Sequence, residues 1–156
     1  MGKDITSPPA IRNKKARFHF EILERVEAGI ALTGSEVKSL RNGKASLEEA
    51  FATIREDEMF LRDCNISPYE QAGYAQHAPT RERKLLLHRR EIRKWAQRVK
   101  EKGFTLVPLS IQFNDRGIAK VVIALARGKT HGDKREDLKA RDDQREMERA
   151  KRHHGR

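Results

Sequence analysis

The chain has 156 residues, enough for one domain with a real core, and its 34 Lys and Arg against 23 Asp and Glu give a formal charge of +11. That balance favours a polyanionic partner, nucleic acid first, while the single cysteine, Cys64, excludes an intrachain disulfide framework and any Cys-pair zinc site. The N-terminal stretch lacks the apolar run of a signal peptide and no segment approaches the roughly 20 apolar residues of a membrane span, so a cytoplasmic protein without membrane attachment is expected.

Residues 1–12 contain Pro8 and Pro9 and no periodicity, which predicts a flexible N-terminal arm. From Arg17 the alternation Phe18, Phe20, Ile22 predicts a strand. Glu27-Ala28-Gly29 reads as a break or bulge before extended structure resumes at Ile30, Ala31 and Leu32. TGSEVKSLRNG predicts a short helix with Ser35 as N-cap and Gly43 as terminator. AFATIREDEMFLRDCNI divides at Glu56-Asp57-Glu58 into two apolar-rich runs and predicts a hairpin.

Pro68-Tyr69 opens an irregular stretch through Pro79. A helix is expected over 80–102, where Ile92, Trp95, Ala96 and Val99 fall at i, i+3, i+4 and i+7 and Gly103 follows. Its other face carries Arg89, Arg90, Arg93, Lys94, Arg98 and Lys100, either solvated or reading phosphate. A second hairpin follows, with Val107, Leu109, Ile111 and Phe113 on one strand, Asn114-Asp115-Arg116-Gly117 as the turn, and Val121, Ile123 and Leu125 returning. Pro108 cannot donate a ladder hydrogen bond, so an edge or bulge is expected there. The architecture these elements imply is mainly β with flanking α-helices: a small antiparallel barrel of the oligonucleotide-binding (OB) type over 13–126.

Beyond Arg127 the apolar periodicity stops. Residues 127–156 hold eleven Lys and Arg against seven Asp and Glu, a charge of +4. Such a tail should be disordered when the protein is alone, because it has too little apolar surface to offset the entropy of ordering. Yet from Asp133 to Arg152 it lacks proline and glycine and most residues have fair helix propensity, so a partner could hold it as a helix.

No catalytic motif emerges. Gly29-Ile30-Ala31-Leu32-Thr33-Gly34 supplies the two glycines of a phosphate loop, but Ser35-Glu36 stands where the lysine is needed. The six histidines fall at no metal-ligand spacing, and Cys64 reads as a small buried hydrophobe, so neither a cofactor nor a metal is expected. On the residues alone a general RNA-binding or ribosome-associated barrel and an RNA-processing enzyme both stay open.

Several blocks in order, Asn13-Lys14-Lys15-Ala16, Glu27-Ala28-Gly29-Ile30, Gly34-Ser35-Glu36-Val37-Lys38-Ser39-Leu40-Arg41, Arg83-Lys84-Leu85-Leu86-Leu87-His88, Thr105-Leu106-Val107-Pro108-Leu109, and Ala126-Arg127-Gly128-Lys129 followed by Asp133-Lys134-Arg135, resemble the SsrA-binding (SmpB) protein family. The resemblance implies a non-enzymatic partner of transfer-messenger RNA (tmRNA), an OB-type barrel that grips the tRNA-like domain of that RNA. It also implies delivery with elongation factor Tu to stalled bacterial ribosomes for trans-translation, as a monomer when RNA-bound. The family's C-terminal tail enters the 16S rRNA decoding centre and the empty mRNA channel and folds there as a helix.

Carried over by residue, Glu27 matches the acidic residue the family uses for RNA binding; on its own it reads as a turn residue before Gly29. Asn13, Lys14 and Lys15 match the basic entry block, and Lys38, Arg41, Lys84 and His88 stand in matching motifs suited to phosphate or sugar contact. For Lys38 and Arg41 a solvated helix face competes with that role. In the tail, Lys129, His131, Asp133, Lys134 and Arg135 match or adjoin the family's elements, with Lys139, Arg141, Arg145 and Arg149 supplying further charge toward the ribosome. The chain departs from the family at Gly132, where an aromatic residue or histidine often stands, and at Ala150-Lys151, where some members carry an apolar pair.

Overall fold

The computed structural model describes residues 9–129 and Arg145. The chain order is β1 (Ile11–Arg12), α1 (Ala16–His19), β2 (Phe20–Ile30), α2 (Gly34–Arg41), β3 (Ala45–Ser46), β4 (Phe51–Arg55), β5 (Glu58–Arg62), β6 (Asn65–Ile66), a 3-10 segment (Glu70–Ala75), β7 (Arg83–Leu86), α3 (Arg89–Lys102), β8 (Thr105–Phe113) and β9 (Ala119–Gly128).

The strands run in the order β1-β8-β4-β5-β7-β2-β9, and β9 pairs back with β8, which closes a barrel with β1 added on its outside edge. All pairings are antiparallel. Closure requires strands that bend, and two of the three longest strands do so at register shifts: β2 between Ile22 and Glu24, and β8 between Pro108 and Ser110. The second is the irregularity expected at Pro108. The inward positions alternate along each strand, with Ala28, Met59, Leu61, Leu85, Ile111, Val121, Ile123 and Leu125 buried. α3 lays Ile92 and Trp95 into this core and α2 adds Leu40.

Both expected hairpins are present. Between β4 and β5 the two-residue turn has Glu56 and Asp57 at φ 53° and 60°, the left-handed pair that suits the twist of a tight hairpin. Between β8 and β9, Asn114 Oδ1 accepts from the backbone N–H groups of Arg116 and Ile118, both at 3.0 Å, and Gly117 takes φ +76°.

Other expectations are corrected. The helix expected over 80–102 starts at Arg89; residues 83–86 form β7 instead, because Arg83 and Leu85 are buried while Lys84 and Leu86 face out, a period of two. His88, still extended, is the residue that caps the helix, its backbone N–H donating to Glu91 Oε1 at 3.4 Å. α2 is capped by Thr33, not Ser35: Thr33 Oγ1 accepts from Glu36 N at 3.4 Å and the Glu36 carboxylate accepts from Thr33 N at 2.8 Å, a complete capping box. Ser35 is buried and turned to another partner.

The stretch from Ala16 to His19 is helical, and β2 then runs unbroken through Glu27-Ala28-Gly29 to end at Ile30. Gly29 keeps the strand because Leu86 of β7 lies over it; a Cβ there would meet Leu86 Cβ at 3.2 Å. Ile11 and Arg12, expected in the N-terminal arm, belong to the barrel instead, since Ile11 is buried and pairs with Ile111; residues 1–8 of that arm lie outside the described residues. Cys64 is buried as expected, and desolvation pushes its thiol up to about 11.

Candidate nucleic-acid interface

Register places residues far apart in sequence in rows across the barrel's outer face. Arg12, Ser110, Val122 and Glu27 lie side by side on β1, β8, β9 and β2. One step along, Gln112, Lys120, Gly29 and Leu86 form the parallel row on β8, β9, β2 and β7. The intervening row, Ile11, Ile111, Val121 and Ala28, is buried, so the two outer rows share the solvent side. With strands about 4.8 Å apart, Arg12 and Glu27 mark the ends of a strip roughly 14 Å wide.

Glu27 stands exposed in this strip with no hydrogen-bond or ion-pair partner among the described residues. Arg25, two residues away on the same strand, and Lys120, diagonally across, are likewise without acidic partners. An isolated carboxylate bordered by free cations can accept hydrogen bonds from ribose hydroxyls or base amino groups while its neighbours hold phosphates. Leu86, 53 % exposed above Gly29, adds an apolar contact to the same strip. Lys84 faces out on β7 near by, but its ammonium is paired with Glu58.

α2 continues the basic surface. Lys38 and Arg41 are exposed, and the Arg41 guanidinium lies 5.5 Å from the ring centroid of Phe113, against the β8–β9 hairpin. Lys44, three residues beyond α2, Arg116, in the turn that Arg41 approaches, and Lys120 have no acidic partners among the described residues. Sequence reading missed Arg12, Lys44, Arg116 and Lys120. Their charge was visible, but Arg12 and Lys120 reach the Glu27 strip only through the pairing of β1 and β2 with the C-terminal hairpin.

α2 is held by buried polar contacts. Glu36 is fully buried and receives Arg81 Nη2 at 2.6 Å, Arg81 Nε at 3.2 Å, and Nε of the fully buried Arg83. Arg83 also donates to the carbonyls of Cys64 at 2.8 Å and Pro79 at 3.1 Å. Burial by itself raises the Glu36 carboxyl, but the hydrogen bonds from Arg81, the Thr33 N–H and Arg83 outweigh it and hold it down to about 2. On the next turn face, Ser35 Oγ lies 2.8 Å from His77 Nδ1, while His77 Nε2 lies 2.9 Å from the Ile66 carbonyl. A carbonyl only accepts, so Nε2 carries the proton toward Ile66.

The basic entry block is partly structural. Asn13 Nδ2 donates to the Leu47 and Pro108 carbonyls at 3.2 and 3.0 Å, pinning the chain where it leaves β1. Lys15 pairs with Glu48 at 3.7 Å, and Lys14 is exposed and unpaired among the described residues. His88 is exposed at the start of α3, away from the rows around Glu27 in chain order though only two residues beyond Leu86. Much of the basic face of α3 is neutralised: Arg93 bonds Asp57 at 3.2 Å, Lys94 lies 3.7 Å from Glu24, and Arg98 also binds Glu24. Those three side chains are thus tied to acidic neighbours rather than simply solvated.

Of the tail candidates, Lys129 is described, its N–H donating to the His19 carbonyl at 2.9 Å. Arg145 is exposed in a helical conformation. His131, Asp133, Lys134, Arg135, Lys139, Arg141 and Arg149 lie outside the described residues. No group of three or more potential metal ligands occurs among the described residues, and no described helix is long and apolar enough to cross a membrane.

Comparison with known proteins adds four findings. A family model described as "SmpB protein" matches residues 10–153. The chain is 50 % identical over 154 residues to an "SsrA-binding protein" of Myxococcus xanthus, covering 96 % of this chain and 94 % of that one. It is 57 % identical over 134 residues to one of Beijerinckia indica, covering 85 % of each. Among solved structures, a chain of "tmRNA-SmpB: a journey to the center of the bacterial ribosome" is similar with a TM-score of 0.67 and 50 % identity, covering 83 % of this chain and 94 % of its own.

Proposed function

The chain belongs to the SmpB family of SsrA-binding proteins, and on that basis we propose that it is a non-enzymatic adaptor which binds the tRNA-like domain of tmRNA and brings it to stalled ribosomes. The observation that carries the RNA-binding half is Glu27, exposed and unpaired on a strip edged by Arg12, Arg25 and Lys120. Glu27 accepts from ribose or base donors, which reads the shape of folded RNA, and the cations supply affinity through phosphate contact. Lys38 and Arg41 extend that cationic surface along α2.

In this reading elongation factor Tu accompanies the complex, the protein acts as a cytoplasmic monomer on its RNA, and residues 127–156 occupy the decoding centre and empty mRNA channel. The tail's eleven cations against seven anions suit a channel walled by RNA while limiting indiscriminate attraction.

Sequencing the RNA that co-purifies with the protein from its own cell is the direct test, and tmRNA is the expected species. Displacement of tmRNA by competitor tRNA at equal concentration would instead favour a general RNA-binding barrel. Glu27→Ala is expected to lower tmRNA affinity by about 1–3 kcal/mol, the range for stranding partners of a buried polar contact. Unchanged binding would remove Glu27 from the interface. Lys120→Ala should behave differently, weakening binding to all RNAs alike and reducing the slope of log Kd against log salt by about one.

A further inference from the structure

The loop from Pro68 to Pro79 presents Tyr74 fully exposed to solvent, the most exposed large apolar side chain among the described residues. We propose that Tyr74 is a stacking platform for an unpaired RNA base, extending the surface of α2; the proposal rests on the RNA-binding function above. A tyrosine normally buries 150–250 Å2 or so, and Tyr74 contributes none of this to the core. Its ring therefore has a free face for a partner, and nucleobases are the π-surfaces that an RNA-binding protein meets.

Three features distinguish this loop from a loose one. First, its two ends are tied: Tyr69 N donates to Gln76 Oε1 at 3.0 Å and Gln76 Nε2 donates to the Tyr69 carbonyl at 2.7 Å. Second, its base is anchored in the body by buried His77 and by Arg83, which donates to the Pro79 carbonyl. Third, Gly73 at φ 57°, ψ −121° breaks the 3-10 segment one residue before the ring, a conformation closed to residues with a Cβ, and so turns Tyr74 outward. A ring on an anchored loop loses less entropy on stacking than one on a flexible arm.

The loop is also in the right place. Ser39 Oγ of α2 donates to the Ser67 carbonyl at 2.6 Å, and Ser67 N donates to the Lys44 carbonyl at 3.0 Å, so the loop's first residues are fixed to α2 and the segment after it. Lys38 lies on the helix ridge beside the serine face that the loop covers, and Lys38 and Lys44 have no acidic partner among the described residues. Glu70 is the one acidic residue within the loop. Cations beside an exposed ring hold a backbone phosphate while its base stacks.

The test is the affinity of a transcript of the tRNA-like domain of tmRNA for wild-type protein, Tyr74→Ala and Tyr74→Phe, measured across a salt series. Tyr74→Ala is expected to weaken binding roughly 5- to 100-fold, with the salt slope unchanged because no phosphate contact is lost. Tyr74→Phe should bind as wild type, since stacking needs the ring and not the hydroxyl. Because Tyr74 touches nothing in the body, neither substitution should shift thermal unfolding. If wild type binds and Tyr74→Ala binds equally well, the inference is wrong while the adaptor function stands; if wild type does not bind, the adaptor function itself fails. Unchanged tmRNA affinity with reduced activity on stalled ribosomes would also overturn it, by assigning Tyr74 to a ribosomal contact.

Discussion

Glu36→Ala is expected to destabilise the fold by about 3–5 kcal/mol, the cost of breaking a buried ion pair by removing one partner. The carboxylate stands between Arg81 and Arg83, and Arg83 has no solvent access, so its guanidinium would be left charged with only the carbonyls of Cys64, Ala78 and Pro79 to face. Denaturant unfolding measures the loss directly. A double replacement, Glu36→Leu with Arg83→Met, should recover much of it, because the penalty lies in the stranded charge more than in the missing attraction. A Glu36→Ala protein as stable as the parent would show that solvent reaches Arg83.

The same carboxylate sets an acid limit. Its folded-state value of about 2 lies below the ordinary 4.5, so it contributes stability that is fully present above the ordinary value and is lost as pH falls from there toward 2. The difference corresponds to roughly 3 kcal/mol, at about 1.4 kcal/mol per pH unit of displacement. In Glu36→Gln the acid limb of the stability curve should flatten correspondingly, although the neutral-pH stability will be lower. An acid limb of the same depth in that variant would assign the effect to other carboxylates.

Removing residues 133–156 should separate the two halves of the proposed function. The truncated protein keeps every residue of the Glu27 strip, the whole of α2 and the loop bearing Tyr74, so tmRNA affinity at physiological salt should stay within about twofold. Charges beyond a Debye length of about 8 Å are screened there, and the tail's excess of cations adds little to a contact made by the barrel. Tagging of nascent chains on ribosomes stalled without a stop codon should fall to background in a reconstituted system, because the proposed function gives the decoding-centre role to the tail. Equal loss of affinity and tagging would place the tail in the RNA interface.

The parts of this fold that could be read from sequence are those where local pattern and tertiary demand agree. The β4–β5 and β8–β9 hairpins carry alternation on both strands and turn residues between them. The seam of α3 likewise names its buried face, Ile92 and Trp95. Disagreements arose where a distant partner decided. Residues 83–86 carry helix-forming leucines, yet β2 and β5 on either side make them a strand. Gly29 resembles a breaker until Leu86 is laid over it.

The candidate interface shows the same division. Glu27, Lys38 and Arg41 stood out through family resemblance, whereas Arg12 and Lys120 join Glu27 only through pairings between the chain's first and last strands. Lys15, paired with Glu48, and Lys84, paired with Glu58, matched the motifs equally well but are tied to acidic neighbours. No feature of a motif distinguishes a cation with a partner from one without.

The long seam between β2 and β9 has a consequence for how the chain acquires its shape. Those strands are about a hundred residues apart and pair along nearly their full length, so the ring cannot close until β9 itself has been made. The β4–β5 hairpin, by contrast, forms from neighbours and can assemble early. During that interval β2 can pair only with β7, at Gly29 and Ile30, and the rest of it is an unpaired strand bearing exposed apolar residues, the period of greatest risk for misassembly.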